Sequence, residues 1–261
     1  MKPLARRSRD PERKQALRAH LKELQRRLLI SAAAIGAGTV VGWVLAPQLL
    51  GFLSRTVREA AEKDGRSGGL NFSEVTSAFD LMLQVSITAG IVIASPVWIA
   101  QLWGFVRPAL RKKESRIGGG FILVATPLFI VGCVMAAFLL PHIVEVMTSF
   151  ATPGSTSLLS ARGYYDFVLK LTIAVGVAFS LPVVLVFLNL AGLVEGRTLA
   201  KSWRVAVLVI ATFSAIATPA ADVLSMFLVA VPMLVLYASA VGIGLVHDKR
   251  QFTKMKKLEL T

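Results

Sequence analysis

Residues 118–140 read GGGFILVATPLFIVGCVMAAFLL, a stretch of more than 20 residues without a charged side chain. An α-helix needs about 20 apolar residues to cross the hydrocarbon core of a bilayer. Similar uncharged stretches recur along the 261 residues, and the lysines and arginines collect between them. This arrangement is typical of a helical protein that crosses the membrane several times.

The composition of the whole chain indicates the same class. The residues AVILMFWYC make up 55% of the sequence, and the 20 glycines raise the apolar share to about 63%. A soluble domain has about 45–50% on that wider count and about 25% charged residues, whereas this chain has 17%. We therefore predict an all-α integral membrane protein and exclude an ordinary cytosolic globule.

The charge and the cysteine content limit the ligands. The net charge is +14, but most basic residues flank apolar segments and no basic run is interleaved with aromatics, so nucleic acid is not an expected partner. Cys133 is the single cysteine in the sequence, which leaves neither a disulfide framework nor a thiolate metal site. We expect no metal and no other cofactor.

Six apolar segments are predicted to span the membrane, at about 28–50, 81–106, 118–140, 167–194, 205–221 and 223–246. They follow a basic arm (1–27), which we expect to be retained and not cleaved as a signal peptide, and precede a tail (247–261). The arm, the tail and the two loops on their side carry 23 lysines and arginines, against five in the outer loops 51–80 and 141–166. The positive-inside rule therefore places both termini in the cytoplasm.

The predicted spans are irregular. Segment 205–221 would rise only about 26 Å, against a hydrocarbon core of about 30 Å, so we expect a locally thinned membrane beside it. Pro96, Pro127, Pro182 and Pro232 lie inside spans, where each removes a backbone donor and can kink its helix. Bent helices indicate a curved or hollowed bundle.

Catalytic motifs are missing from the sequence. His20, His142 and His247 lie at or beyond segment ends, and the chain has no H-E-x-x-H motif, no G-x-S-x-G motif and no paired membrane aspartates. Gly118–Gly120 lacks the Lys-Ser/Thr of a phosphate-binding loop. We predict that the protein is not an enzyme.

Three polar residues lie in or between the last apolar segments. Asp222 precedes segment 223–246, where it can cap the helix, act as a functional acid, or do both. Lys170 lies one turn inside its segment and is expected to extend towards the outer interface. Ser180 is at mid-span, where a hydroxyl usually bonds the preceding turn.

Glu23 and Glu114 are acids embedded in basic segments. Each can balance a base at helical spacing, as Glu23 can with Arg27, for about 0.2–0.5 kcal/mol. Each can instead accept a cationic ligand, and the residues themselves leave both interpretations open.

These two acids belong to longer motifs. H-L-x-E-L-x-x-R-L occupies His20–Leu28, Ser95-Pro96 follows, and Q-x-W-x-F-x-x-P-x-L-x-x-x-E runs from Gln101 to Glu114. Later come G-V-x-F-x-x-P at Gly176–Pro182 and Thr218-Pro219, Asp222-Val223, Ser225 and Pro232. From His20 to about Val246 the chain resembles the TatC family, the six-span receptor subunit of the twin-arginine protein translocase.

The resemblance implies a function and a shape. Members bind the paired arginines of a signal peptide on a folded cargo and admit the peptide into a concave, glove-like membrane cavity. The family's signal-binding positions correspond to Glu23, Phe105, Pro108, Leu110 and Glu114. Ser180 stands where the family commonly has a cavity-facing acid or amide, and the stretch before Asp222 is one residue longer than the family pattern.

The resemblance also implies partners and a location. We expect assembly with the single-span subunits TatB and TatA, self-association in a receptor complex, contact with membrane lipid, and transport driven by the proton motive force without ATP. The location would be the bacterial or archaeal cytoplasmic membrane.

Other functions make different demands on the sequence. A proton-coupled small-solute secondary transporter or flippase would place ionisable residues near the bilayer midplane and have related halves. In this chain the acids cluster at the cytoplasmic face and in the outer loops. A structural membrane scaffold would make Glu23 and Glu114 dispensable. The sequence favours the receptor.

Overall fold

A computed structural model of the chain describes residues 11–63, 69–71, 76–106, 118–149, 158–218 and 223–258. Within these ranges the elements, in chain order, are α1 (Pro11–Lys63), β1 (Gly69–Asn71), α2 (Ser77–Ile93), α3 (Ser95–Val106), α4 (Gly118–Ser149), β2 (Leu158–Ser160), α5 (Ala161–Leu190), α6 (Gly196–Lys201), α7 (Trp203–Ala217) and α8 (Val223–Leu258).

The long helices carry the apolar segments. α1, α4, α5 and α8 are each long and apolar enough to cross a membrane, and they contain all or most of the predicted spans 28–50, 118–140, 167–194 and 223–246. The predicted all-α class is confirmed. α1, α4 and α8 continue beyond their apolar stretches, because helical hydrogen bonding persists in polar sequence after the apolar pattern ends.

The second predicted span, 81–106, consists of two helices. α2 and α3 meet at a bend of 58°. Pro96 at the second position of α3 has no N–H to donate to the preceding turn. The indole Nε1–H of Trp98 instead donates to the carbonyl of Ile91 at 3.0 Å, so a backbone acceptor beside the break is satisfied.

α1 and α2 pack with their backbones in close approach. A Cβ atom on Gly38 would lie 2.7 Å from the carbonyl oxygen of Gly90, and one on Gly42 would collide with the carbonyl oxygen of Ser86. Small residues allow this approach between helices in a membrane, where dispersion contacts replace the hydrophobic effect as the source of association.

α7 is the short helix that the fifth apolar segment predicts. Its 15 residues rise about 22 Å at 1.5 Å per residue, less than the hydrocarbon thickness. α6, with six residues, occupies a segment that the apolar pattern treats as a connection. The number of six membrane crossings therefore stays a prediction, since the second segment is a bent pair and the fifth is this short helix.

Two apolar clusters hold the helices together. The larger joins α1, α2, α4, α5, α7 and α8, and within it Tyr164 and Tyr165 donate hydroxyl hydrogen bonds to the carbonyls of Leu53 and Leu50 at 3.1 and 3.3 Å. The smaller cluster is aromatic and joins α3, α4 and α5 through Trp103, Phe121, Phe129 and Phe187.

A short parallel β-ladder connects the two loops predicted to face outward. β1 pairs with β2 in the register Gly69–Leu158, Leu70–Leu159 and Asn71–Ser160. Three residues are too few for an alternating pattern, so the sequence does not predict this pairing.

Candidate functional site

Two helix faces meet where the His20–Leu28 motif contacts the start of the Gln101–Glu114 motif. Side chains three or four residues apart share one face of a helix. The faces in contact are formed by His20, Glu23 and Arg27 of α1 and by Gln101, Gly104 and Phe105 of α3.

Glu23 and Arg27 form an ion pair one helical turn apart. Arg27 Nη2 and Nε donate to Glu23 Oε1 at 2.7 and 3.1 Å. The two side chains are 26% (Arg27) and 37% (Glu23) exposed, so solvent screens the pair and it stabilises the helix by about 0.3–0.5 kcal/mol. The pairing that the spacing allows is present, and it engages one of the two carboxylate oxygens.

Arg27 also contacts α3. Its Nη1 donates to Gln101 Oε1 at 3.4 Å. Gly104 contributes the space in which the guanidinium lies, since a Cβ atom there would collide with Arg27 Nη1. The sequence alone does not single out Gly104, and it marks Gln101 only as part of a motif. Gln101 and Gly104 are three residues apart and therefore share one face of α3, and this spacing is the feature of the sequence that links them.

Phe105 lies at the other end of the same contact. Its ring stacks on His20, with 4.5 Å between centroids and 28° between ring planes. Phe105 and Glu23, two of the predicted signal-binding residues, are thereby brought to the same α1–α3 contact.

A wide groove opens beside this contact. Its volume is about 1110 Å³, and it is lined by Lys22, Glu23, Gln25, Arg26, Arg27, Leu29, Ile30 and Gln101. Of the charged residues in this lining that the structure describes, three are basic and Glu23 alone is acidic. Glu23 is therefore the described residue of this wall whose charge attracts a cation.

The other predicted site residues, Pro108, Leu110 and Glu114 on the loop predicted to be cytoplasmic, lie outside the described residues, as does Asp222. Pro108, Leu110 and Glu114 follow the end of α3 at Val106, and Asp222 directly precedes the start of α8 at Val223. The roles of all four residues stay predictions.

Ser180 is hydrogen-bonded within its own helix. Its Oγ donates to the carbonyl of Val177 at 2.7 Å. Two apolar grooves, of about 410 and 310 Å³, flank the neighbouring Pro182, and Ser180 lines neither of them. A cavity-facing role for Ser180 stays a prediction.

Lys170 has a side chain that is 79% exposed, and its Nζ lies 3.9 Å from Oδ2 of Asp166, one helical turn earlier.

A polar cluster that the sequence does not predict joins α5, α6 and α8. Asp248 Oδ2 accepts from the backbone N–H of Gly196 at 2.6 Å, and its Oδ1 accepts from Asn189 Nδ2 at 2.9 Å. Asn189 Nδ2 also donates to the carbonyl of Val194 at 2.9 Å. The turn that closes this cluster contains Gly192 with φ of +67°, a conformation that glycine adopts without strain.

Within the described ranges, histidine, cysteine and acidic side chains do not gather in groups of three or more that could hold a metal ion. The features of the candidate site are its charged side chains, the groove beside the α1–α3 contact and the stacking of Phe105 on His20.

Comparison with known proteins identifies the family. Residues 19–232 match the family model described as Sec-independent protein translocase protein (TatC). The Sec-independent protein translocase protein TatC of Xylanimonas cellulosilytica is 43% identical over 234 residues, which cover 90% of this chain and 85% of the relative. The TatCy protein of Bacillus subtilis is 32% identical over 244 residues, covering 93% of this chain and 92% of the relative.

The fold leads to the same family. A crystal structure of the twin-arginine translocase receptor TatC in the detergent DDM matches with a TM-score of 0.73 and 30% identity, over 86% of this chain and 99% of that one. Another TatC receptor crystal structure matches with a TM-score of 0.69, over 87% and 98% of the two chains. The chain therefore belongs to the TatC family of Sec-independent protein translocase proteins.

Proposed function

We propose that the groove beside the α1–α3 contact receives the arginine pair of a twin-arginine signal peptide, and that Glu23 and Glu114 accept its guanidinium groups. The observation that carries the proposal is the location of Glu23 and its contact with a guanidinium group. Its carboxylate lines a large groove in which the other described charged residues are basic, and it already holds one guanidinium, that of Arg27, in hydrogen-bonding geometry.

The chemistry suits this ligand. A guanidinium presents N–H donors in a planar fork that matches the two oxygens of a carboxylate, and it keeps its charge at any cellular pH. Lys22, Arg26 and Arg27 would repel such a group along most of the wall. A second carboxylate, from Glu114, would supply the acceptor for the second arginine of the pair.

The neighbouring apolar residues complete the proposed site. Phe105 offers a ring beside Glu23, and arginine side chains stack on aromatic faces. Pro108 and Leu110 follow α3 along the chain and would form the wall between Phe105 and Glu114. This part of the proposal rests on the resemblance of the Gln101–Glu114 motif to the family.

The proposed partners, location and driving force are those expected of a member of the TatC family. We propose that the chain assembles with TatA and TatB and with further copies of itself, and that it works in a cytoplasmic membrane with both termini inside. The proton motive force would drive transport, and the chain would bind and organise without catalysing a reaction of its own.

A proton-coupled transporter or flippase is not favoured. Such a protein needs ionisable groups deep in the membrane. Among the residues that the structure describes, Lys170 is the base inside an apolar segment, and it lies one turn from the start of that segment beside Asp166.

Site-specific photo-crosslinking tests the proposed site. A photoreactive residue replaces Phe105 or Glu114 in the full chain in membranes, and replaces Phe252, on the tail helix, as the control. We expect crosslinks to a twin-arginine signal peptide from the first two positions and far fewer from the third. Equal yields from all three positions would reject the site.

A further inference from the structure

Arg27 is fixed from two sides. Two of its nitrogens donate to Glu23 on its own helix, and the third donates to Gln101 on α3. The missing side chain of Gly104 leaves room for the guanidinium against the α3 backbone. With only 26% of its side chain exposed, Arg27 is a brace between two helices, in contrast to the exposed Arg26 beside it.

This brace restricts Glu23. Both N–H donors of Arg27 converge on Oε1, which holds that oxygen against the guanidinium and restricts the orientations that the carboxylate can adopt. Oε2 accepts no hydrogen bond from the described part of the chain, while Glu23 remains 37% exposed and lines the groove. A carboxylate held in this way keeps Oε2 available for a second donor.

We propose that Arg27 is a positioning residue whose contact with Glu23, supported by Gln101 and Gly104, gives the groove its preference for guanidinium over ammonium ligands. The inference rests on the proposed function, because it assumes that Glu23 meets the signal peptide. A guanidinium gains from an acceptor whose orientation is restricted, since its donors point in set directions. An ammonium group is a point charge with rotatable donors and gains less from that restriction.

The test uses the purified full-length chain in detergent and two labelled signal peptides, one with the arginine pair and one with lysines in its place. Affinities are measured for wild type, Arg27→Gln and Gly104→Ala. We expect Arg27→Gln to weaken binding of the twin-arginine peptide by about threefold to tenfold. This loss is smaller than the loss of affinity expected when a whole charge-assisted contact is removed. Binding of the twin-lysine peptide should stay constant or strengthen, because one repelling charge is gone.

Gly104→Ala provides the same test with the charge kept. A methyl group at residue 104 must displace the Arg27 guanidinium, so we expect the ratio of the two affinities to shrink here as well. Arg26→Gln is the matched control, since it removes one positive charge from the same groove wall and leaves the brace in place. It should change both affinities by the same factor.

The outcomes separate the two proposals. If Arg27→Gln and Gly104→Ala change both affinities by one common factor, as Arg26→Gln does, Arg27 acts only through its charge and the positioning role is overturned. If Glu23→Gln and Glu114→Gln bind both peptides as wild type does, the proposed function itself fails. Helical content and monodispersity are recorded for every variant, and Gly104→Ala decides the question if Arg27→Gln does not fold.

Discussion

Asp248 connects three parts of the chain through one carboxylate, and its removal should be costly. Asp248→Ala leaves the Gly196 N–H without its acceptor and removes one of the two acceptors of Asn189 Nδ2, in a residue that is 2% exposed. A buried donor left unpaired costs about 1–3 kcal/mol, so we expect a clearly lower unfolding temperature in detergent. Asp248→Asn keeps one acceptor oxygen and should lose less.

Asp166→Asn is the control for that series. Asp166 lies 3.9 Å from the exposed Lys170, and an exposed pair of this kind contributes little. An unfolding temperature for Asp248→Ala equal to that of the control would show that the cluster does not stabilise the fold.

At this scale, the sequence predicts contacts within one helix better than contacts between helices. The Glu23–Arg27 pair follows from a spacing of four residues. The contact of Arg27 with Gln101 joins residues 74 positions apart. No local pattern encodes it, because it depends on how α1 and α3 cross.

The break between α2 and α3 makes a prediction at the scale of the element. Trp98→Phe removes the indole donor to Ile91 while keeping a ring beside Phe129. Hydrogen bonds inside membrane proteins average about 0.6 kcal/mol, so we expect a small but measurable loss of stability in the free energy of unfolding. Trp43→Phe, which changes a more exposed ring on α1, is the control, and an equal loss in both would contradict a role for the bond.

α7 makes a prediction about the membrane around it. Its rise of about 22 Å is shorter than a hydrocarbon core of about 30 Å. We expect a thinned or water-penetrated bilayer beside α7 and α8, which spin labels at exposed positions such as Val209 and Ile216 would detect by their access to polar relaxation agents. The same polar access at exposed positions of α4 would reject local thinning.

The sequence predicts the long helices because their apolar stretches are long and uncharged. It places Pro96 within a span, but the bend of 58° also depends on Trp98 and on packing against α4. The β1–β2 ladder and α6 are too short for periodicity to detect, and both are formed by tertiary contacts.

The chain as a whole is a multi-pass membrane protein of the TatC family and a component of the twin-arginine translocase. Large apolar side chains such as Val44, Leu123, Phe138 and Ile216 are exposed on the helices, as lipid-facing residues are. The predicted orientation of the molecule in the membrane rests on the ratio of 23 to 5 in basic residues.

Cysteine labelling tests this orientation. In a Cys133→Ala background, Lys113→Cys should resist an impermeant thiol reagent added outside intact cells and react after the cells are opened. Ser155→Cys, in the predicted outer loop 141–166, is the positive control and should react in intact cells. Labelling of Lys113→Cys in intact cells would contradict the predicted topology.

The most direct measurement of the central claim is a double-mutant cycle between the receptor and the peptide. Affinities are determined for wild type and Glu114→Gln, each with a twin-arginine and a twin-lysine peptide. A charge-assisted contact is worth about 1.5–3 kcal/mol, so Glu114→Gln should weaken binding of the twin-arginine peptide on the order of tenfold or more, with a much smaller effect on the twin-lysine peptide. Additive losses, with no coupling between the two changes, would contradict a direct contact between Glu114 and the arginine pair.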